Sequence, residues 1–189
     1  MINYFNTYKK GFCMKKSILV LSTLFFLSAL SPVLVQSGRE AKLTKNDNKQ
    51  PFTTGDKLNL NSATEFTQTN DGIYYKTIKS GTGKLPCKGE VLTVHYTGYF
   101  LVKKMNDKKQ IEYSIGEVFD SSVQRQKPFS FRLGMRQVIS GWDKMLATMK
   151  PGEKRIVVLP SKEAYGNRAQ GHIPADASLI FIIEFISAA

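Results

Sequence analysis

Residues 137–150 read QVISGWDKMLATMK, and Pro151-Gly152 follow directly. The apolar positions Val138, Ile139, Trp142, Met145, Leu146 and Met149 recur at separations of three, four, seven and eight residues, which stacks them on one face of a helix. The Pro-Gly pair stops that helix. The segments on either side alternate with a period of two instead. In VLTVHYTGYF (91–100), Leu92, Val94 and Tyr96 fall on one side of a strand and Val91, Thr93, His95 and Thr97 on the other. GIYYKTIKSGTG (72–83), IEYSIGEVFD (111–120), PFSFRL (128–133), EKRIVVLP (153–160) and SLIFIIEFIS (178–187) also read as strands, the last with an apolar run suited to a central position. LVKKMNDKKQ (101–110) is a polar, Lys-rich excursion, read as an exposed hairpin or loop. The fold class is therefore α+β, a twisted antiparallel sheet on one short helix.

Upstream the texture changes. Residues 38–70 are rich in Lys, Asn, Thr, Asp and Gln, with apolar residues too scattered to form a face, and read as a polar spacer before a domain at 71–189. Residues 1–37 read as an export address. Lys15-Lys16 precede SILVLSTLFFLSAL (17–30), 14 apolar or small residues, and Val35 and Ser37 suit a cut before Gly38. The run falls short of the roughly 20 apolar residues of a spanning helix, although Val33, Leu34 and Val35 extend it, so an uncleaved anchor stands as the alternative. Met14, directly before the two lysines, is an alternative start. Removal of this segment takes Cys13 with it and leaves Cys87 as a lone thiol, read as buried.

The whole chain of 189 residues has a formal net charge of +12. Lys9, Lys10, Lys15 and Lys16 lie in the leader with no acidic residue beside them, so the exported part is less basic than the total suggests. Nucleic acid is not expected as a partner; the remaining charge suits solubility or an anionic surface. The usual catalytic signatures are missing. With His95, His172 and one mature cysteine there is no HExxH, CxxC, Walker loop, GxGxxG or GxSxG, so neither a metal nor a nucleotide cofactor is expected. His95 reads as a structural histidine in its strand. The domain is instead rich in aromatic residues at Tyr96, Phe119, Phe129, Phe131, Trp142, Tyr165 and Phe181, with Asp120 next to Phe119.

Their order carries more than any one of them. VHYTGYF, then EVFDSSVQRQKPFSFRLGMRQVISGWDKMLATMKPGEKRIVVLP, then EAYGNRAQGHIPADASLIFIIEF, closely resembles the FKBP-type peptidyl-prolyl cis-trans isomerases, the immunophilins that bind tacrolimus and rapamycin. The resemblance spans about residues 71–187. The leader and spacer are similar to those of exported bacterial members of the macrophage infectivity potentiator type. The resemblance implies a sheet wrapped round the helix with a cleft between them. Trp142 would form its floor, Tyr96, Phe129 and Phe181 its walls, and Val138 and Ile139 would enter from the loop before the helix. Phe119 and Asp120 would lie where the substrate carbonyl is held, with Asp120 buried and paired with Arg125 near the Tyr96 hydroxyl. Tyr165 and Ile173 would contribute from the loop that closes the cleft, and Gln137 occupies a position where Glu or Gln both occur. The implied catalytic set is Tyr96, Phe119, Asp120, Trp142 and Tyr165; the implied substrate-binding set is Arg125, Phe129, Gln137, Val138, Ile139, Ile173 and Phe181.

The implied activity is X-Pro isomerisation during folding of exported proteins in a bacterial periplasm or envelope, without cofactor. Unfolded exported chains are the implied substrates, and macrolides such as tacrolimus and rapamycin the implied ligands. A weakly catalytic, client-binding chaperone module is the alternative. The sequence departs from the family pattern in two places. Residues 99–118 are 20 in number, longer than the hairpin of small members, and include Lys103, Lys104, Lys108 and Lys109. The closing loop has Ala175 where a second proline is common and His172 where a small or aliphatic residue is common.

Overall fold

A computed structural model describes residues 52–60 and 65–189. The leader and the first part of the spacer lie outside the described residues, which all belong to one compact unit, 50–189. Its strands are β1 (Lys57–Leu58), β2 (Thr67–Gln68), β3 (Tyr74–Lys79), β4 (Val91–Met105), β5 (Ile111–Ser121), β6 (Phe129–Arg132), β7 (Lys154–Leu159) and β8 (Leu179–Ala188). One helix, α1 (Ser140–Leu146), lies between β6 and β7, and a single 3-10 turn spans Ser161–Glu163. All pairings are antiparallel, in the order β1-β5-β4-β8-β7-β3-β2, with β6 paired to the first part of β4. A curled antiparallel sheet on one short helix is the α+β arrangement the sequence implied.

The period-two alternation is visible in the burial. On β8, Leu179, Phe181, Ile183 and Phe185 face the helix while Ile180 and Ile182 face the other way. On β7, Val157 and Leu159 face the helix and Ile156 and Val158 turn away. β8 lies inside the sheet between β4 and β7, and both its faces are covered, one by the helix-side core and the other by Leu58, Leu60 and Phe66, which is why it reads as a continuous apolar run. The helix-side core adds Leu92, Val94 and Tyr96 from β4 and Trp142, Met145, Leu146 and Met149 from the helix region. Burying each large side chain contributes roughly 1.5–3 kcal/mol.

The helix is shorter than its periodicity. It covers seven residues, with Ile139 as its N-cap and Ala147 as its C-cap, so Val138 and Ile139 stand in the approach loop and Met149 in the turn beyond. Close packing fixes where it lies: a Cβ on Gly141 would come 2.5 Å from Leu159 Cδ2 and 3.0 Å from the Glu163 carbonyl oxygen. Asp143 Oδ1 accepts a 2.8 Å bond from Gly134 N–H, and Gln137 Oε1 accepts one of 2.8 Å from Arg132 N–H. The first ties the start of the approach loop to α1, and the second ties its far end back to β6.

Two expectations are corrected. The domain does not begin at 71: Leu58, Leu60 and Phe66, within the stretch assigned to the spacer, are buried against Tyr99, Ile115, Ile156, Val158, Ile180 and Ile182 on the far face of the sheet. β1 and β2 are two residues each, too short to show a period. Cys87, expected as a lone buried thiol, is half-buried. The chain's other cysteine, Cys13, lies outside the described residues. The Lys-rich excursion resolves as the end of the β4–β5 hairpin. Asn106 builds its turn, with Oδ1 accepting from Lys108 and Gln110 N–H at 3.0 and 2.9 Å, and Lys109 takes a positive φ of 58°.

Candidate functional site

A cleft of about 160 Å³ opens between the sheet and the approach to α1, lined by Tyr96, Phe119, Asp120, Phe129, Gln137, Val138, Ile139, Trp142, Tyr165 and Phe181. Cavities of about 150 Å³ hold a ring the size of benzene, so a five-membered ring fits. Trp142 lies at its base, 4% exposed, with Tyr96 at 5.0 Å between ring centroids, Phe181 at 5.3 Å and Phe129 at 6.1 Å. The interplanar angles of 80°, 84° and 76° make all three contacts edge-to-face, the arrangement ring quadrupoles favour. Phe131 stacks behind Phe129 at 5.9 Å, and Phe100 lies 5.2 Å from Phe119, so the walls have a second layer. The Trp142 indole N–H is buried without a hydrogen-bond partner.

Phe119 can lie over β4 only because residue 98 is glycine. A Cβ there would sit 2.5 Å from the Phe119 ring. The same ring meets Phe181 edge-on at 5.6 Å and 90°.

The polar rim is Asp120. Its carboxylate accepts hydrogen bonds from the Tyr96 hydroxyl and from the Arg125 guanidinium, and Arg125 Nη2 also donates to the Tyr96 hydroxyl oxygen at 3.1 Å. Burial pushes the Asp120 carboxyl up, but the bonds from Tyr96 and Arg125 and the charge of Arg125 outweigh it and hold the group below its usual range. Burial and the hydrogen bond to Asp120 push the Tyr96 hydroxyl up; burial and the Asp120 charge do the same for Tyr165. The rim is therefore an ionised carboxylate beside two neutral phenols. Among the described residues no group of three or more His, Cys, Asp or Glu is placed to hold a metal ion.

Most of the site expected from sequence is brought together. Tyr96, Phe119, Asp120, Phe129, Gln137, Val138, Ile139, Trp142, Tyr165 and Phe181 line one cleft, and Arg125 reaches it through Asp120. Two positions differ. Ile173 is 6% exposed within the helix-side core and does not line the cleft; it plugs the loop into the core. The Asp120 side chain is 38% exposed, not buried: the Tyr96 hydroxyl reaches it from the core, but its other donor, Arg125, is itself half-exposed at the rim. Gly98 has no role legible in the sequence, because what it supplies is room for the Phe119 ring and no chemistry of its own. His172, in sequence only a departure from the family pattern, has its Nε2 3.0 Å from the Phe119 carbonyl oxygen.

Residues 83–186 match the family of FKBP-type peptidyl-prolyl cis-trans isomerases. The chain is 46% identical over 101 residues to FK506-binding protein 2 of Debaryomyces hansenii, covering 53% of this chain and 65% of that protein. It is 39% identical over 116 residues to an FK506-binding protein of Neisseria meningitidis serogroup B, covering 61% of this chain and 94% of the relative. Among solved structures it resembles FkpA from Escherichia coli, with a TM-score of 0.53 and 30% identity over 65% of this chain and 51% of that one. With the fold, the cleft and the match over residues 83–186 in agreement, the chain belongs to the FKBP-type peptidyl-prolyl cis-trans isomerase family.

Proposed function

We propose that the protein accelerates cis-trans isomerisation of X-Pro bonds in exported chains as they fold. The observation that carries this is the cleft: six aromatic rings, with Val138 and Ile139 from the approach loop, line space for one small ring, and an ionised carboxylate stands at the rim. The barrier to rotation, about 18–20 kcal/mol, comes from amide resonance, and the uncatalysed exchange takes tens to hundreds of seconds. Resonance places negative charge on the carbonyl oxygen, and water stabilises that charge. A proline ring seated on Trp142 brings the preceding carbonyl out of water and beside Phe119 and Asp120. The negative carboxylate there disfavours the charge-separated planar form relative to the twisted one.

Magnitudes decide how the work divides. Each tenfold acceleration needs about 1.4 kcal/mol, and leaving one polar group unsolvated in a protein is worth roughly 1–3 kcal/mol. Desolvation thus supplies one to two decades, and fitting the twisted geometry between Tyr96, Phe129 and Phe181 must supply the rest. No covalent intermediate is needed. Unfolded exported proteins are the substrates in this reading, the bacterial envelope is the location, and macrolides such as tacrolimus and rapamycin compete for the cleft.

The test is NMR exchange spectroscopy on an X-Pro peptide with a catalytic amount of protein, with and without rapamycin. Acceleration abolished by the drug supports the reading; a folded protein that leaves the exchange rate unchanged overturns it in favour of a client-binding module. Fractionation of expressing cells with N-terminal sequencing tests export. A mature chain beginning at or near Gly38 is expected.

A further inference from the structure

The loop 164–178 crosses the mouth of the cleft between the 3-10 turn and β8. Its base is rigid. Glu163, 7% exposed, accepts a 2.8 Å bond from Ser140 Oγ at the start of α1 and a 2.9 Å bond from Lys144 Nζ one turn on, so the residues before Tyr165 are fixed to the helix that carries the cleft floor. Its tip is a tight two-residue turn. Gln170 and Ile173 exchange both backbone hydrogen bonds at 2.9 Å, and Gly171 takes the positive φ of 58° that such a turn requires. Ile173 then enters the core and His172 is left at the apex, exposed.

From that apex His172 reaches across the mouth to β5, where its Nε2 lies 3.0 Å from the Phe119 carbonyl oxygen. A carbonyl only accepts, so Nε2 carries the hydrogen and donates it. The bond joins the tip of the loop to the backbone between two cleft residues, Phe119 and Asp120. Glu163 clamps the base of the loop and Ile173 seats one side of the tip turn in the core; the His172 bond fastens the exposed apex to the opposite wall.

We propose that His172 is a positioning residue: its Nε2–H latches the loop to Phe119 and so fixes the Tyr165 side of the cleft against the Phe119–Asp120 side before substrate arrives. This rests on the isomerase reading for its effect on rate, but the latch itself has a readout independent of activity. A loop ordered beforehand need not be ordered on binding, and that saving appears in kcat/KM. The exposed position makes the substitution harmless to the core.

The experiment compares the full chain with His172→Ala, His172→Gln and His172→Asn. Glutamine places an amide N–H at the reach of Nε2; asparagine reaches only as far as Nδ1. Two quantities are read for each variant: amide hydrogen exchange of residues 169–173, and kcat/KM for an X-Pro peptide. One hydrogen bond predicts about a two- to tenfold fall in kcat/KM for His172→Ala and His172→Asn, with faster exchange at the loop tip and a fall in Tm of no more than about a few degrees. His172→Gln restores both. Exchange unaltered in His172→Ala overturns the latch whatever the activity. Faster exchange with kcat/KM unchanged overturns its role in positioning, and a glutamine variant as impaired as the alanine one shows that the hydrogen bond is not the agent. A wild-type chain without isomerase activity would remove the isomerase reading and with it the positioning role, while the exchange measurement still decides whether the latch exists.

Discussion

The two faces of the sheet are built from the same strands to opposite ends. On β8, Phe181 points into the cleft while its neighbours Ile180 and Ile182 point the other way. The helix side gathers rings that meet edge-on at 76–90°, and such rings hold one another apart, leaving about 160 Å³ open above Trp142. The far side gathers Ile115, Ile156, Val158, Ile180 and Ile182 under Leu58, Leu60 and Phe66, where branched aliphatics interdigitate and Ile180 is fully buried. On the helix side the crossed rings leave a cleft floored by Trp142; on the far side the aliphatic side chains pack around Phe66 and Tyr99.

The strongest way to break the comparison is to empty each face in turn. Trp142→Ala should cost about 3–5 kcal/mol of stability and remove the cleft floor, so the folded fraction should lose nearly all isomerase activity. Ile182→Ala, 4% exposed on the far face, should cost a comparable amount, about 2–5 kcal/mol, yet leave kcat/KM per folded molecule within about twofold. Denaturant titrations paired with the exchange assay separate the two. If Ile182→Ala lowered specific activity as Trp142→Ala does, the faces would not be independent.

Asp120→Asn sharpens the comparison on the functional side alone. The carboxamide keeps the shape but removes the charge that pairs with Arg125 and faces the substrate carbonyl. Hydrogen bonds to charged groups contribute about 1.5–3 kcal/mol, so kcat/KM should fall roughly ten- to a hundredfold. The unfolding midpoint should move little, because this ion pair is half-exposed. A variant with full activity would assign the work to the rings and none to the carboxylate.

The same contrast explains what was legible in the sequence. Alternation on 91–100 and 178–187 was readable because both cores are large and the strands long, and α1 was readable from Trp142, Met145 and Leu146. The helix ends were not, because Val138 and Ile139 are half-buried and Met149 buried for reasons other than being helical: two approach the cleft and one closes a turn. Leu58, Leu60 and Phe66 looked scattered because strands of two residues carry no period, and their partners lie tens of residues away. Resemblance identified the cleft residues, but not how the loop is fastened. Ile173 faces the core and His172 faces Phe119, a choice set by one tight turn that no motif encodes.

Gly98→Ala carries the next smaller effect and acts at the seam between the faces. The added Cβ would lie 2.5 Å from the Phe119 ring, which must then rotate off β4 and away from Phe181. Overpacking of this kind costs typically about 1–3 kcal/mol. Because the displaced ring is a cleft wall, ligand affinity should fall with stability; a tacrolimus titration by intrinsic Trp142 fluorescence measures it. An unchanged affinity would show that Phe119 relaxes without disturbing the cleft.

The smallest effect expected is that of pH. Burial raises the Asp120 carboxyl, but the hydrogen bonds from Tyr96 and Arg125 prevail and the folded-state value lies below the ordinary one. As pH falls, the unfolded chain therefore takes up this proton first. The stabilisation is complete above about pH 4, the ordinary aspartate value, and is lost as pH falls through the lower folded-state value. Solvent screening of a side chain that is 38% exposed keeps this share under about 1 kcal/mol. Between pH 5 and 8 the carboxylate stays ionised, so Asp120 contributes no slope to kcat/KM there; its acid limb is confined below about pH 4 and absent from Asp120→Asn. A wild-type rate that falls with an apparent pKa near 6, and does so less in Asp120→Asn, would mean that substrate binding strips Arg125 from the carboxylate and leaves it in an apolar site. The rim would then belong to the chemistry of the bound state and not to that of the open cleft.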